Sequence, residues 1–239
     1  MSAHRDLIPV PRLAVLSSGA HGVLRGSLSP DALTTICDGP EFFLAPPFEL
    51  TAWLLELQLM ERPVVNLLLP APGRIAGLVG PPAAVTAALT AGQALVTADG
   101  STAQHTLTAH RQDPHHRTLV VERWTAPEGR RIPPQRIDGA RERLFHTLQS
   151  AVRTAERLDL IPDEPVPPAL LPAEWMLMEP HAGLSDSLAH VARIAGRTLL
   201  QAQQLLADPD LSGAHRTVLS ELSDASRDAL SAALSATPH

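Results

Sequence analysis

Immediately after Pro63 the chain reads Val64-Val65-Asn66-Leu67-Leu68-Leu69, six residues without a charge. A run of this length is too short to cross a membrane. It does not alternate, so it has no face to turn to water. It suits a strand covered on both sides. The rest of the fold must therefore supply packing layers on either side of it.

The flanking sequence offers them. Phe48 opens a helix in which Leu50, Trp53, Leu54, Leu57 and Met60 share one face. Pro81-Pro82 precede an Ala-rich helix, Ala83 to Ala91, capped by Gly92. Further upstream, Leu13, Leu16, Ala20, Val23 and Leu24 recur at helical spacing, although Gly19 and Gly22 weaken that helix. Ser29-Pro30-Asp31 is a helix start, a hydroxyl cap followed by proline. Strands are expected at Glu41 to Leu44, from Ala94-Leu95-Val96, at Thr102 to Thr108 and at Thr118 to Trp124, with Asp99-Gly100 as a hairpin signal. The strand–helix–strand order predicts parallel pairing with right-handed crossovers. The fold class is α/β (α+β), a mixed sheet of about five strands with packed helices, followed by a helical C-terminal half.

In that second half Asp138 caps a helix to about Leu158. Residues 161–182 carry six prolines and form a connector. Ser185 or Asp186 caps the next helix, whose seam includes Leu184, Leu188, Val191, Ala195, Leu199 and Leu205. A last helix, from about Ser212 to Ala236, aligns Val218, Leu222, Ala225, Ala229 and Ala233. Residues 1–137 read as an α/β domain and 138–239 as a helical region packed on it as one globular unit.

From Phe42 to Val96 the chain resembles a group of uncharacterised proteins from high-GC actinobacteria. The similarity is carried by LPAPG at Leu69 to Gly73 and AALTAGQALV at Ala87 to Val96. A proline-rich connector and C-terminal helices follow in both. The resemblance implies a host lineage and no chemistry. Composition agrees: all 19 basic side chains other than histidine are arginine, there is no tyrosine and Asn66 is the single asparagine. Codons for the missing residues are AT-rich.

Those absences exclude function classes. Without lysine there is no Schiff base, no PLP anchor and no phosphate-loop lysine. A single cysteine, Cys37, allows no internal disulfide, CxxC pair or cysteine-rich zinc site. No cofactor is expected. The N-terminus does not read as a signal peptide and no span is apolar enough for a membrane, so the expected location is cytoplasmic.

Four candidate sites remain. His110, Asp113, His115 and His116 offer imidazole and carboxylate ligands for a metal near a turn. Their bland reading is a polar loop at a sheet rim. Gly73, Arg74, Gly77 and Gly80 lie between a strand and a helix, where phosphate could be cradled. However, no nucleotide motif is matched, and Pro81-Pro82 remove two amide donors. Ser17 near His21, and Cys37 beside Asp38, are minor nucleophile candidates. Arginines across Arg130–Arg157 could contact phosphates, residues 111–158 carrying a net charge of +4 against −7 for 159–239. The acidic chain (net −6) and the scarcity of aromatics argue against nucleic acid. With no catalytic motif met, the expected function is a non-enzymatic protein that binds a protein partner or itself through Leu188, Val191, Leu199, Leu222 and Ala229. The alternatives are a metal-dependent or phosphate-binding enzyme using the His110–His116 turn or the Gly73–Gly80 loop, and nucleic-acid binding through Arg130–Arg157.

Overall fold

A computed structural model describes residues 7–39, 42–75, 77–113, 118–133, 135–157, 168–180 and 184–235. In chain order they form β1 (Ile8–Pro11), α1 (Arg12–Leu24), α2 (Pro30–Cys37), β2 (Phe43–Ala45), α3 (Leu50–Leu59), β3 (Pro63–Leu68), α4 (Pro82–Ala91), β4 (Ala94–Asp99), β5 (Thr102–Arg111), β6 (Thr118–Thr125), α5 (Ile137–Arg157), β7 (Trp175–Met178), α6 (Asp186–Leu206) and α7 (Gly213–Ser235). The expected mixed sheet of five strands is present, in the order β2-β6-β5-β4-β3, and α5 to α7 make the second half mainly helical.

The uncharged run is β3, covered on both faces as its composition requires. Val65 and Leu67 join Leu95, Leu107, Leu119 and Val121 in one core with α1 and α3. Leu68 turns the other way and meets Val79, Val96, Ala98, Ala126 and Ile132. The helix α4 lies against β5 on this second face. Each large apolar side chain removed from water stabilises the fold by about 1.5–3 kcal/mol.

The expected parallel pairing is corrected by the sheet itself. Among the named strands of the sheet only β2 and β6 run parallel; β3 and β4 are antiparallel although α4 separates them. The segment after β3 runs out over one face and α4 returns, so Ala94 begins β4 opposite Leu68 at the end of β3. A crossover needs its helix to carry the chain back along the strand's length. Here the loop and helix cancel, and the direction reverses.

As an edge strand, β3 would present unpaired backbone groups, which native proteins protect. Three side chains do so here. His21 Nε2 lies 2.8 Å from Val65 O, Ser235 Oγ accepts from Leu67 N at 2.7 Å, and Gln135 Nε2 donates to Leu67 O at 3.0 Å. They come from α1, the last residue of α7 and the segment before α5.

The helix α1 is buried from Arg12 to Val23, which explains why its sequence lacks a polar face. Its polar side chains bond to distant backbone: Ser17 Oγ donates to Leu234 O at 2.9 Å. The orphan amides of its first turn are satisfied from afar. Arg12 N donates to Glu174 O and Leu13 N to Gln93 Oε1, both at 2.9 Å. Gly92, at φ 65°, ends α4 in the left-handed conformation and places Gln93 for that task. The AALTAGQALV stretch therefore contains a helix stop and a distant helix cap.

A second sheet pairs β1 with β7, and β7 lies inside the proline-rich stretch expected to be a connector. Pro9 and Pro11 stand two apart, so both missing N–H groups fall on one side of β1. Ile8 and Val10 keep theirs for the antiparallel partner, with Ile8 opposite Met178 and Val10 opposite Met176. The helix α6 covers β1, with Gly196 against Pro9.

Candidate functional site

The LPAPG stretch ends in a tight turn. Ala71 and Arg74 exchange backbone hydrogen bonds, 3.1 Å and 2.8 Å, around Pro72-Gly73. Gly73 has φ 78°, the value that the third residue of a type II turn needs and that glycine adopts freely. The turn points Arg74 at α7. There Arg74 Nη1 meets Asp224 and Nη2 meets Asp228, both at 2.8 Å. Asp224 and Asp228 are one helical turn apart, so one guanidinium spans both. Arg143 from α5 reaches the other oxygen of Asp228 at 2.7 Å.

Around this network opens a cleft of about 440 Å³. Its walls are the end of β3, the first turns of α5 and one side of α7. Four arginines line it: Arg74, Arg136, Arg143 and Arg227. Among the described residues Arg136 and Arg227 have no carboxylate within salt-bridge distance. Burial lowers the Arg227 pKa, while Asp224 pulls it up. Burial pulls the Arg74 pKa down too, but its two aspartates outweigh this and raise it. Partly exposed pairs such as these contribute about 0–1 kcal/mol each. Their structural effect is to fix where the charges stand. Among the described residues, four arginines and Asp228 line the cleft and Asp224 braces Arg74, an excess of two positive charges.

The sequence candidates sort themselves against this geometry. Of the Gly73–Gly80 residues, Arg74 alone lines the cleft. Gly77 packs against Leu68, and Gly80 against Ala84. Of the arginine-rich segment, Arg136 and Arg143 reach the cleft, whereas Arg131 pairs with Thr102 beyond the hairpin end of β5. His110 sits near the end of β5, opposite Val120, and Asp113 follows it. His115 and His116 lie outside the described residues. Among the described residues no three His, Cys, Asp or Glu side chains are grouped to hold a metal.

The residues expected to self-associate are spent inside the chain. Val191, Leu199 and Ala229 are fully buried, and Leu188 and Leu222 partly so. The seam is the contact between α6 and α7 themselves, the most extensive pairing of helices in the structure. The remaining nucleophile candidates are structural. Ser17 serves Leu234 O and His21 serves Val65 O, so neither engages the other. Burial, with Asp38 beside it, raises the Cys37 thiol to about 12, far from a reactive thiolate. Arg227 and Asp228 went unnoticed in the sequence, because nothing near them marks a site.

The fold and the cleft thus define an α+β protein with a basic, carboxylate-braced recess at the end of its sheet. The chain belongs to the family of Rv1486c-like proteins, whose N-terminal domain model matches residues 14–137, just over half of its length. That places it in an actinobacterial group and attaches no activity to it. No curated protein and no solved structure matches the chain. Among the described residues no helix is long and apolar enough to cross a membrane.

Proposed function

We propose that this protein binds a small anionic molecule in the cleft and performs no chemistry on it. The observation that carries the reading is convergence. Arg74 from the glycine-rich loop and Arg136 and Arg143 from the arginine-rich segment, distant in sequence, meet at one recess with Arg227. Arginines are suited to bidentate contacts with oxyanions. Binding without catalysis follows from the lining. Both oxygens of Asp228 are engaged by guanidiniums, which disqualifies it as a general base. Arginine keeps its proton at any working pH.

Titration calorimetry with inorganic phosphate tests this. Arg143→Gln and Arg136→Gln are each expected to weaken binding by about ten- to a hundredfold, the loss of one charge-assisted contact of about 1.5–3 kcal/mol. Arg143 is well exposed and Arg136 is exposed, so neither change is expected to move the melting temperature by more than a degree or two. Wild-type protein that binds neither phosphate nor any carboxylate probe would refute the reading.

A further inference from the structure

We infer that the cleft selects a small phosphomonoester dianion, and that Asp228 is the selecting residue; this rests on the anion-binding reading and goes further. Asp228 already occupies the arginines as a ligand would. Its Oδ1 accepts from Arg74 at 2.8 Å and its Oδ2 from Arg143 at 2.7 Å. This carboxylate is fixed to α7, and a tethered competitor acts at an effective concentration of about millimolar or above. A free carboxylate has the same charge and the same two oxygens. It would exchange like for like against a tethered rival and gain nothing.

A phosphomonoester differs in two respects. It carries a second negative charge once its second proton is lost, near pH 6, and it has three terminal oxygens. Its two charges together equal the two positive charges that Asp224 and Asp228 leave uncompensated. The additional oxygen gives Arg136 or Arg227 a partner while Arg74 and Arg143 are held. Asp224 stays on Arg74 at 2.8 Å and keeps the loop in place when Asp228 is displaced. Phosphodiesters, the backbone of nucleic acids, carry one charge and share the disadvantage of carboxylates.

The test compares methyl phosphate, dimethyl phosphate and acetate by titration calorimetry on the full chain. Wild type at pH 8 is expected to bind methyl phosphate at least about tenfold tighter than either monoanion, a contact made or missing. That preference should shrink at pH 5, where the ester is a monoanion. Asp228→Asn is expected to raise acetate affinity about tenfold and narrow the ratio. Asp224→Asn, which leaves the Arg143 clamp occupied, should preserve it. Wild-type protein that binds all three alike at pH 8 overturns the inference without any variant. So does an unchanged ratio in folded Asp228→Asn. No binding of any probe by any variant condemns the anion reading instead.

Discussion

At the residue scale, His21 links folding to pH. Burial lowers its pKa below 6.5, and the bond to Val65 O only partly offsets this. The folded chain therefore holds a neutral ring, while the unfolded chain takes up a proton as pH falls through 6.5. Below that value the unfolded state binds more protons, so stability is complete above about pH 6.5 and declines as pH drops. The decline levels off once the folded ring also protonates. Thermal melts from pH 7.5 to pH 5 should show this slope. His21→Leu should reduce it and, by leaving Val65 O only the long contact from Ser17 Oγ at 3.5 Å, cost about 1–3 kcal/mol at pH 7.5. His105, also lowered by burial and by Arg123, supplies a slope of the same sign that persists in the variant. Equal slopes in the two proteins would exonerate His21.

At the element scale, the informative position is Gly196 in the middle of α6. A Cβ there would collide with the Pro9 carbonyl oxygen, which cannot move without β1. Helix propensity alone favours alanine over glycine by about 1 kcal/mol. Gly196→Ala is nevertheless expected to destabilise by about 1–3 kcal/mol, the usual cost of overpacking, in urea denaturation. A gain in stability would mean that β1 does not lie against α6. Elements of this kind also show what the sequence could and could not reveal. Short-range devices were legible. Ser29 accepts from Ala32 N at 3.1 Å, Ser185 caps α6, and Gly92 ends α4 as the sequence suggested. So were all five strands of the main sheet and the β4–β5 hairpin, although the direction of β3 against β4 was not, because it depends on how a loop and a helix add up. β7 was obscured by the proline-rich connector around it, and β1 by its own prolines, whose spacing of two leaves one side of the strand free to pair. The cleft was half legible. Arg74 and the arginine-rich segment each stood out, yet their meeting depends on Asp228, some 85 residues beyond Arg143.

At the scale of the whole molecule, the family-matched span shares its core with the rest of the chain. Residues 14–137 omit β1, β7, α6, α7 and all but the first residue of α5. One continuous core joins Leu67 and Leu95 to Leu199, Leu230 and Leu234, so its apolar surface is shared across the chain. The fragment 14–137 expressed alone is expected to show no cooperative thermal transition by circular dichroism, while the full chain shows one. A sharp melt from the fragment would contradict this dependence. The covering of β3 has a related outcome. Gln135 fastens Leu67 O and also lines the basic recess. One amide thus serves as both the hem of the sheet and the sill of the cavity. Whatever enters the cavity and draws that amide aside loosens the hem, and whatever steadies it stitches the hem tighter. Deuterium uptake should therefore register an occupant along β3 well beyond Leu68, where the strand meets the cavity.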